Sequence, residues 1–109
     1  MYNYIIGKVT IQENNYIVVE NNGIGYTIYV ANPFSFEENK ESKVYVYNQI
    51  REDEYRLYGF KSLEERDLFL KLINVKGLGP KMAMPMLATG SIAGIMDAID
   101  RENILYLTI

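Results

Sequence analysis

The chain has 109 residues, with 14 acidic against 11 basic side chains, a formal net charge of −3, and neither cysteine nor histidine. That removes disulfides, thiolate zinc sites and the usual general base at once; an apolar content of 49% argues against disorder, and no run approaches the ~18 apolar residues of a membrane span. The acidic balance also opposes a broadly basic nucleic-acid surface, so any such binding has to be local.

In chain order, residues 2–11 read as a first β-strand, with Tyr4, Ile6 and Lys8 alternating against Ile5, Gly7 and Val9. Residues 16–20 read as a second, followed by Asn21-Asn22-Gly23, turn chemistry of the kind that closes hairpins. Residues 25–30 alternate aromatic and branched side chains as a third strand, which Asn32-Pro33 ends; a polar connection over residues 33–42 carries Phe34 and Phe36. Residues 43–50 (Val44 and Val46 against Tyr45 and Tyr47) and 55–60 complete a set of five. Short strands of this composition predict a small closed or half-closed barrel such as an OB-fold, and the pattern alone admits an SH3-like barrel as well. Closure would remove the exposed edges that so small a sheet could not otherwise protect.

The composition changes near residues 59–62. Residues 1–60 hold nine of the ten tyrosines and carry five basic against eight acidic side chains, whereas residues 61–109 hold six of each and four of the five methionines. We therefore expect a barrel domain over residues 1–61 and an all-helical domain over 62–109. Ser62-Leu63-Glu64-Glu65 is a capping box, in which the Ser hydroxyl and Glu65 each satisfy a free backbone N–H. It opens a helix running to about Val75. A second short helix follows Pro80 and stops at Thr89-Gly90; Ser91 can cap a third to about Ile99, and Asp100 a fourth through Leu107. Pro85 falls inside the second helix, where it deletes the hydrogen bond to the carbonyl of Lys81, so a kink is expected there.

Between the first two helices lies Val75-Lys76-Gly77-Leu78-Gly79-Pro80-Lys81-Met82. Gly77 and Gly79 can adopt positive φ and keep the turn free of side chains. Pro80 suits a first helical position, where its missing N–H is no loss. The helix start then directs unpaired N–H groups and a partial positive charge outward, between Lys76 and Lys81, which is an anion site. Such a site grips a nucleic-acid phosphate without reading a base. A Gly-x-Gly turn also serves as a bare connection, but from Leu68 to Met96 there is no Asp or Glu, while Lys71, Lys76 and Lys81 are all present. Two other phosphate loops fit badly: Met82 stands where a dinucleotide fingerprint needs its third glycine, and a Walker loop's Gly-Lys-Ser/Thr does not occur.

Between the last two strands lies Arg51-Glu52-Asp53-Glu54. Consecutive carboxylates at a hairpin tip are commonly a solvated turn; beside a DNA-binding face they form a negative point that repels phosphates and holds strands apart. Three in a row cannot all converge on one metal ion. With no histidine and no second acidic cluster, nothing here makes a nuclease or hydrolase site. Neither metal nor other cofactor is expected.

These pieces, in this order, resemble the RuvA family of bacterial proteins that bind four-way Holliday junctions alongside the ATP-driven motor RuvB. The matching segments are Tyr4-Ile5-Ile6-Gly7-Lys8-Val9, Gly23-Ile24-Gly25-Tyr26, Arg51-Glu52-Asp53, Leu57-Tyr58-Gly59-Phe60, Glu65-Arg66-Asp67-Leu68-Phe69 and Val75-Lys76-Gly77-Leu78-Gly79-Pro80-Lys81. The resemblance implies an OB-fold followed by a helix-hairpin-helix domain, with four subunits presenting one flat face to the junction. It implies that Glu52 and Asp53 form an acidic pin at the junction centre, and that Gly77, Gly79 and Lys81 sit on minor-groove phosphates. The DNA-contacting set is then Lys76, Gly77, Leu78, Gly79, Pro80 and Lys81, with Arg51 beside the pin. The sequence departs from the family in adding Glu54 to the pin and in placing Pro85 where a small helix former is usual. It ends at Tyr106-Leu107-Thr108-Ile109, where the family begins a second, lysine-containing hairpin. The second hairpin and the C-terminal motor-binding domain are therefore expected to be absent, in an isolated fragment or a truncated gene product.

The function expected is a non-catalytic, junction-specific DNA-binding scaffold, a homotetramer supporting the motor in recombination and repair. The start Met-Tyr-Asn-Tyr lacks the features of a signal peptide, which fits the cytoplasm. The alternative is a generic OB-plus-hairpin module for single strands or a protein partner. Single-strand binding by OB-folds relies on a basic groove with stacking aromatics, and the net negative β half weakens that alternative.

Overall fold

The computed structural model describes residues 1–74 and 78–89. The chain divides into two compact units, one ending at Leu63 and the other starting at Glu64.

The first unit is a five-stranded closed barrel: β1 (Tyr4–Gln12), β2 (Tyr16–Asn21), β3 (Ile24–Val30), β4 (Glu41–Ile50) and β5 (Tyr55–Phe60). Its neighbours run β1-β2-β3-β5-β4 and back to β1. All pairs are antiparallel except β3 with β5, whose ladder runs Ile28↔Leu57, Tyr29↔Tyr58 and Val30↔Gly59. This is the OB-fold order and not that of an SH3-like barrel. Closure depends on β1, which pairs with β4 over Tyr4 to Lys8 and with β2 from Lys8 to Gln12. The β1–β2 register shifts between Val9 and Ile11, leaving Thr10 as a bulge that bends the strand from one neighbour to the other.

The alternation read from the sequence decides what is inside. Ile5 and Val9 of β1, Ile17 and Val19 of β2, Ile28 and Val30 of β3, Val44 and Val46 of β4 and Leu57 of β5 form one buried cluster. The β2–β3 turn has positive φ at both Asn22 (51°) and Gly23 (79°), the I′ geometry whose twist matches that of the strands. In the connection before β4 the two phenylalanines part company. Pro33–Ser35 forms a 3₁₀ turn that leaves Phe34 72% exposed and drops Phe36 into the core at 3%. β4 starts two residues earlier than expected, because Glu41 and Ser42 find partners in Lys8 and Gly7 of the bent β1.

In the second unit α1 (Leu63–Ile73) begins directly after Ser62, where the capping box predicts. Glu64 and Glu65 in its first turn and Lys71 in its last suit the helix dipole. It ends two residues short of the expected Val75, its last turn tightened by an Asn74 N–H to Lys71 carbonyl bond of 3.2 Å. α2 (Pro80–Thr89) continues through Pro85, which is exposed to solvent. Each helix buries one narrow face, Leu68, Phe69 and Leu72 in α1 and Ala83, Met84 and Leu87 in α2. The expected third and fourth helices lie outside the described residues. Among the described residues no helix is long and apolar enough to cross a membrane.

Gly59 is a tight point of the barrel interior. A Cβ there would collide with Ile28, lie 2.7 Å from Val44 and 3.1 Å from Val30. Gly59→Ala overpacks this core and is expected to cost about 1–3 kcal/mol of stability, read as a lower midpoint in urea denaturation.

Candidate nucleic-acid interface

The β4–β5 hairpin is paired down to Ile50↔Tyr55. Beyond that pair the Arg51 N–H donates to the Glu54 carbonyl at 2.7 Å, so Glu52 and Asp53 alone form the tip. Both are exposed, and neither forms an ion pair or side-chain hydrogen bond among the described residues. Arg51 is also exposed.

Glu54 behaves differently. It faces the same side of the strand as Arg56, two residues on, because side chains alternate along an extended chain. Arg56 donates from Nε to a Glu54 oxygen (2.8 Å) and its Nη2 pairs with the same oxygen at 2.6 Å, and the two side chains are only 19% and 34% exposed. The Arg56 guanidinium lies 4.2 Å from the centre of the Tyr29 ring in β3, a cation–π stack. Tyr29 continues a tyrosine row, 5.8 Å from Tyr16 and 6.1 Å from Tyr58. Burial works against the Arg56 charge, but the hydrogen bond to Glu54 and the Glu54 carboxylate charge, joined at high pH by the phenols of Tyr58 and Tyr29 once these ionise, more than offset it; its pKa is raised and it remains a cation. Burial also raises the Tyr58 phenol, with Arg56 pulling the other way, so that group is neutral at physiological pH. On the hairpin's other face the Tyr55 hydroxyl donates to Asn48 Oδ1 (2.5 Å), and Asn48 Nδ2 donates to the Tyr2 carbonyl (2.6 Å).

The expected third charge of the tip is therefore compensated at its base, leaving two uncompensated carboxylates. Strand parity in Glu54-Tyr55-Arg56 held the signal for this pair; the stack on Tyr29 depends on the parallel β3–β5 pairing and has no local signature.

In the second unit, Gly79 is the N-cap of α2, its carbonyl accepting from Met82 (3.1 Å) and Ala83 (3.0 Å). Pro80 contributes no N–H at the first position. The Lys81 amide has no acceptor inside the helix, and the Lys81 side chain is exposed. Leu78, Gly79 and Pro80 are half-buried. Lys76 and Gly77 lie outside the described residues. Gly79 differs from expectation: among the described glycines only Gly23 has positive φ, and among the described residues a Cβ on Gly79 would meet nothing within 4 Å. Neither backbone conformation nor packing demands glycine here.

A family model described as the RuvA N terminal domain matches residues 1–59. The chain belongs to the RuvA family. A relative from Limosilactobacillus reuteri subsp. reuteri is 47% identical over 110 residues, covering 99% of this chain and 55% of its own length. One from Leuconostoc mesenteroides subsp. mesenteroides is 48% identical (99% and 56%), and one from Streptococcus pneumoniae strain Hungary19A-6 is 46% identical (99% and 56%). All three are named Holliday junction branch migration complex subunit RuvA. The chain thus spans about half the length of the curated relatives it matches.

The open surroundings of Gly79 lead to a direct test. In Gly79→Ala the small N-cap advantage of glycine and the lower chain entropy of alanine offset each other, so stability is expected to stay within about 0.5 kcal/mol. DNA affinity in a gel shift is expected to fall, because the methyl group occupies the approach to the Lys81 amide.

Proposed function

We propose that the chain serves as a non-catalytic DNA-binding subunit that recognises four-way junctions and supports branch migration driven by the RuvB motor, in the bacterial cytoplasm. The observation that carries this reading is the hairpin tip: two uncompensated carboxylates at the end of a fully paired hairpin, with the third neutralised by Arg56. Two carboxylates without an ion-pair partner among the described residues form a negative point that repels phosphates. The helix start at Gly79-Pro80-Lys81, with Lys76 and Gly77 ahead of it and Arg51 near the tip, supplies the opposite interaction, holding backbone phosphates without base specificity. Relatives bearing a junction and branch-migration name over the whole of this chain's length support both roles.

The acidic tip acts by exclusion. At ~8 Å and an effective dielectric of about 40–80, each carboxylate–phosphate repulsion is worth roughly 0.5–1 kcal/mol before salt screening. A duplex laid across the tip meets this repulsion directly. A junction, whose four arms diverge from an open centre, avoids it. Glu52→Gln combined with Asp53→Asn is therefore expected to bind duplex more tightly and lose its preference for junctions, with little change in melting temperature. Gel shifts of the chain and this variant on four-way junction, duplex and single-stranded DNA at one stated salt concentration measure it. Unchanged duplex affinity and selectivity would make the tip an ordinary turn, and a preference for single strands would favour the generic OB reading.

A single tip discriminates weakly, so several have to meet around one centre. Self-association to a tetramer of fourfold symmetry is expected, aided by exposed apolar side chains on the barrel such as Tyr2, Tyr4, Ile6 and Ile24. Sedimentation at tens of micromolar tests this, a single monomer boundary counting against it.

A further inference from the structure

We infer that Arg56 is the positioning residue of the acidic tip, and that its clamp on Glu54 and Tyr29 sets how strongly the chain discriminates a junction from plain duplex. This rests on the reading of Glu52 and Asp53 as a junction discriminator, and goes beyond it by assigning what aims them. Glu54 is the C-terminal shoulder of the tip, joined to Arg51 across the hairpin by the 2.7 Å backbone bond. Its carboxylate is held by the Arg56 Nε hydrogen bond at 2.8 Å and the Nη2 ion pair at 2.6 Å. Arg56 in turn lies over Tyr29, 4.2 Å from the ring centre, on the strand paired directly with β5 in parallel. The shoulder is thereby tied to the barrel wall through a side chain only 19% exposed.

Two consequences follow. The direction in which Glu52 and Asp53 project is fixed on one face by Arg56 and on the other by the Tyr55–Asn48–Tyr2 contacts. The Glu54 charge is also compensated at the base of the tip, so the repulsive charge is concentrated on two residues. Arginine is needed for this because its planar fork stacks on an aromatic ring while donating several hydrogen bonds; lysine keeps the charge and loses that geometry.

The test measures the ratio of junction to duplex affinity, at constant salt, for the full 109-residue chain and for Arg56→Lys, Glu54→Gln and the two combined. Each single variant breaks the clamp, so each is expected to lower the ratio by about two- to fivefold, the scale of one misplaced charge–phosphate repulsion. The combined variant is expected to be no lower than either single one, since both remove the same contact. Melting temperature is followed alongside, because a purely structural role would lower it while leaving the ratio unchanged. An unchanged ratio in Arg56→Lys and Glu54→Gln overturns the inference. So does a ratio that rises in Glu54→Gln, which would mark Glu54 as a repulsive charge in its own right. Glu52→Gln with Asp53→Asn is measured in the same series to separate the two levels. If that variant loses selectivity and the clamp variants keep it, only the role of Arg56 falls; if it keeps its selectivity, the junction reading falls and the clamp's role with it.

Discussion

The barrel stands on one strand serving two neighbours. β1 gives its first half to β4 and its second half to β2, and the bulge at Thr10 lets it turn between them. Sequence allows this at two places. Thr10 carries the extra residue, and Gly7 lets β1 pass close to the carbonyl of Glu20, where a Cβ would collide. Without that crossing the sheet would have two free edges, and the β4–β5 hairpin would hang from one of them. With it, β4 is held by β1 and β5 by β3, so the hairpin rises from a closed wall.

Electrostatics then divide the molecule in a way its net charge hides. A chain of net charge −3 is a poor general ligand for DNA, yet its charges are sorted. Carboxylates are concentrated on the barrel half, and the stretch from Leu68 to Met96 has none. Within the acidic hairpin the sorting is finer still. Even half-covered, an ion pair at the protein surface such as Arg56–Glu54 contributes little to stability, at most about 1 kcal/mol. Its contribution is the placement of charge, and this is where an arginine on a half-covered strand face differs from one on the open surface.

Local chemistry was legible in the sequence wherever a side chain's neighbours are set by strand or helix period. The five strands, the Asn22-Gly23 turn, the start of α1 at Ser62 and the inward set Ile5, Gly7 and Val9 all follow from alternation and capping rules. What was not legible depends on pairings between distant segments. Phe34 and Phe36 look alike in sequence, and only the 3₁₀ turn at Pro33 decides which enters the core. The early start of β4 depends on where β1 bends. At the candidate site, the exposure of Glu52, Asp53 and Lys81 was readable. The compensation of Glu54 by Arg56 was half readable: strand parity signals the pair, but the seat of Arg56 on Tyr29 needs β3 brought alongside β5 by their parallel pairing. Gly79 shows the reverse: a glycine expected for its backbone freedom occupies an ordinary conformation.

The shortness of the β4–β5 overhang has a mechanical meaning. The last ladder pair is Ile50↔Tyr55, so each arm extends only two residues to the tip, about 7 Å of extended chain. A lever that short, gripped on both faces at its root, has almost no compliance. A load applied to Glu52 or Asp53 passes into the barrel wall instead of being absorbed by bending. The interior behind that wall is filled to the point that Gly59 has no room for a methyl group, so it cannot yield by collapsing inward. The unit is built as a stiff wedge.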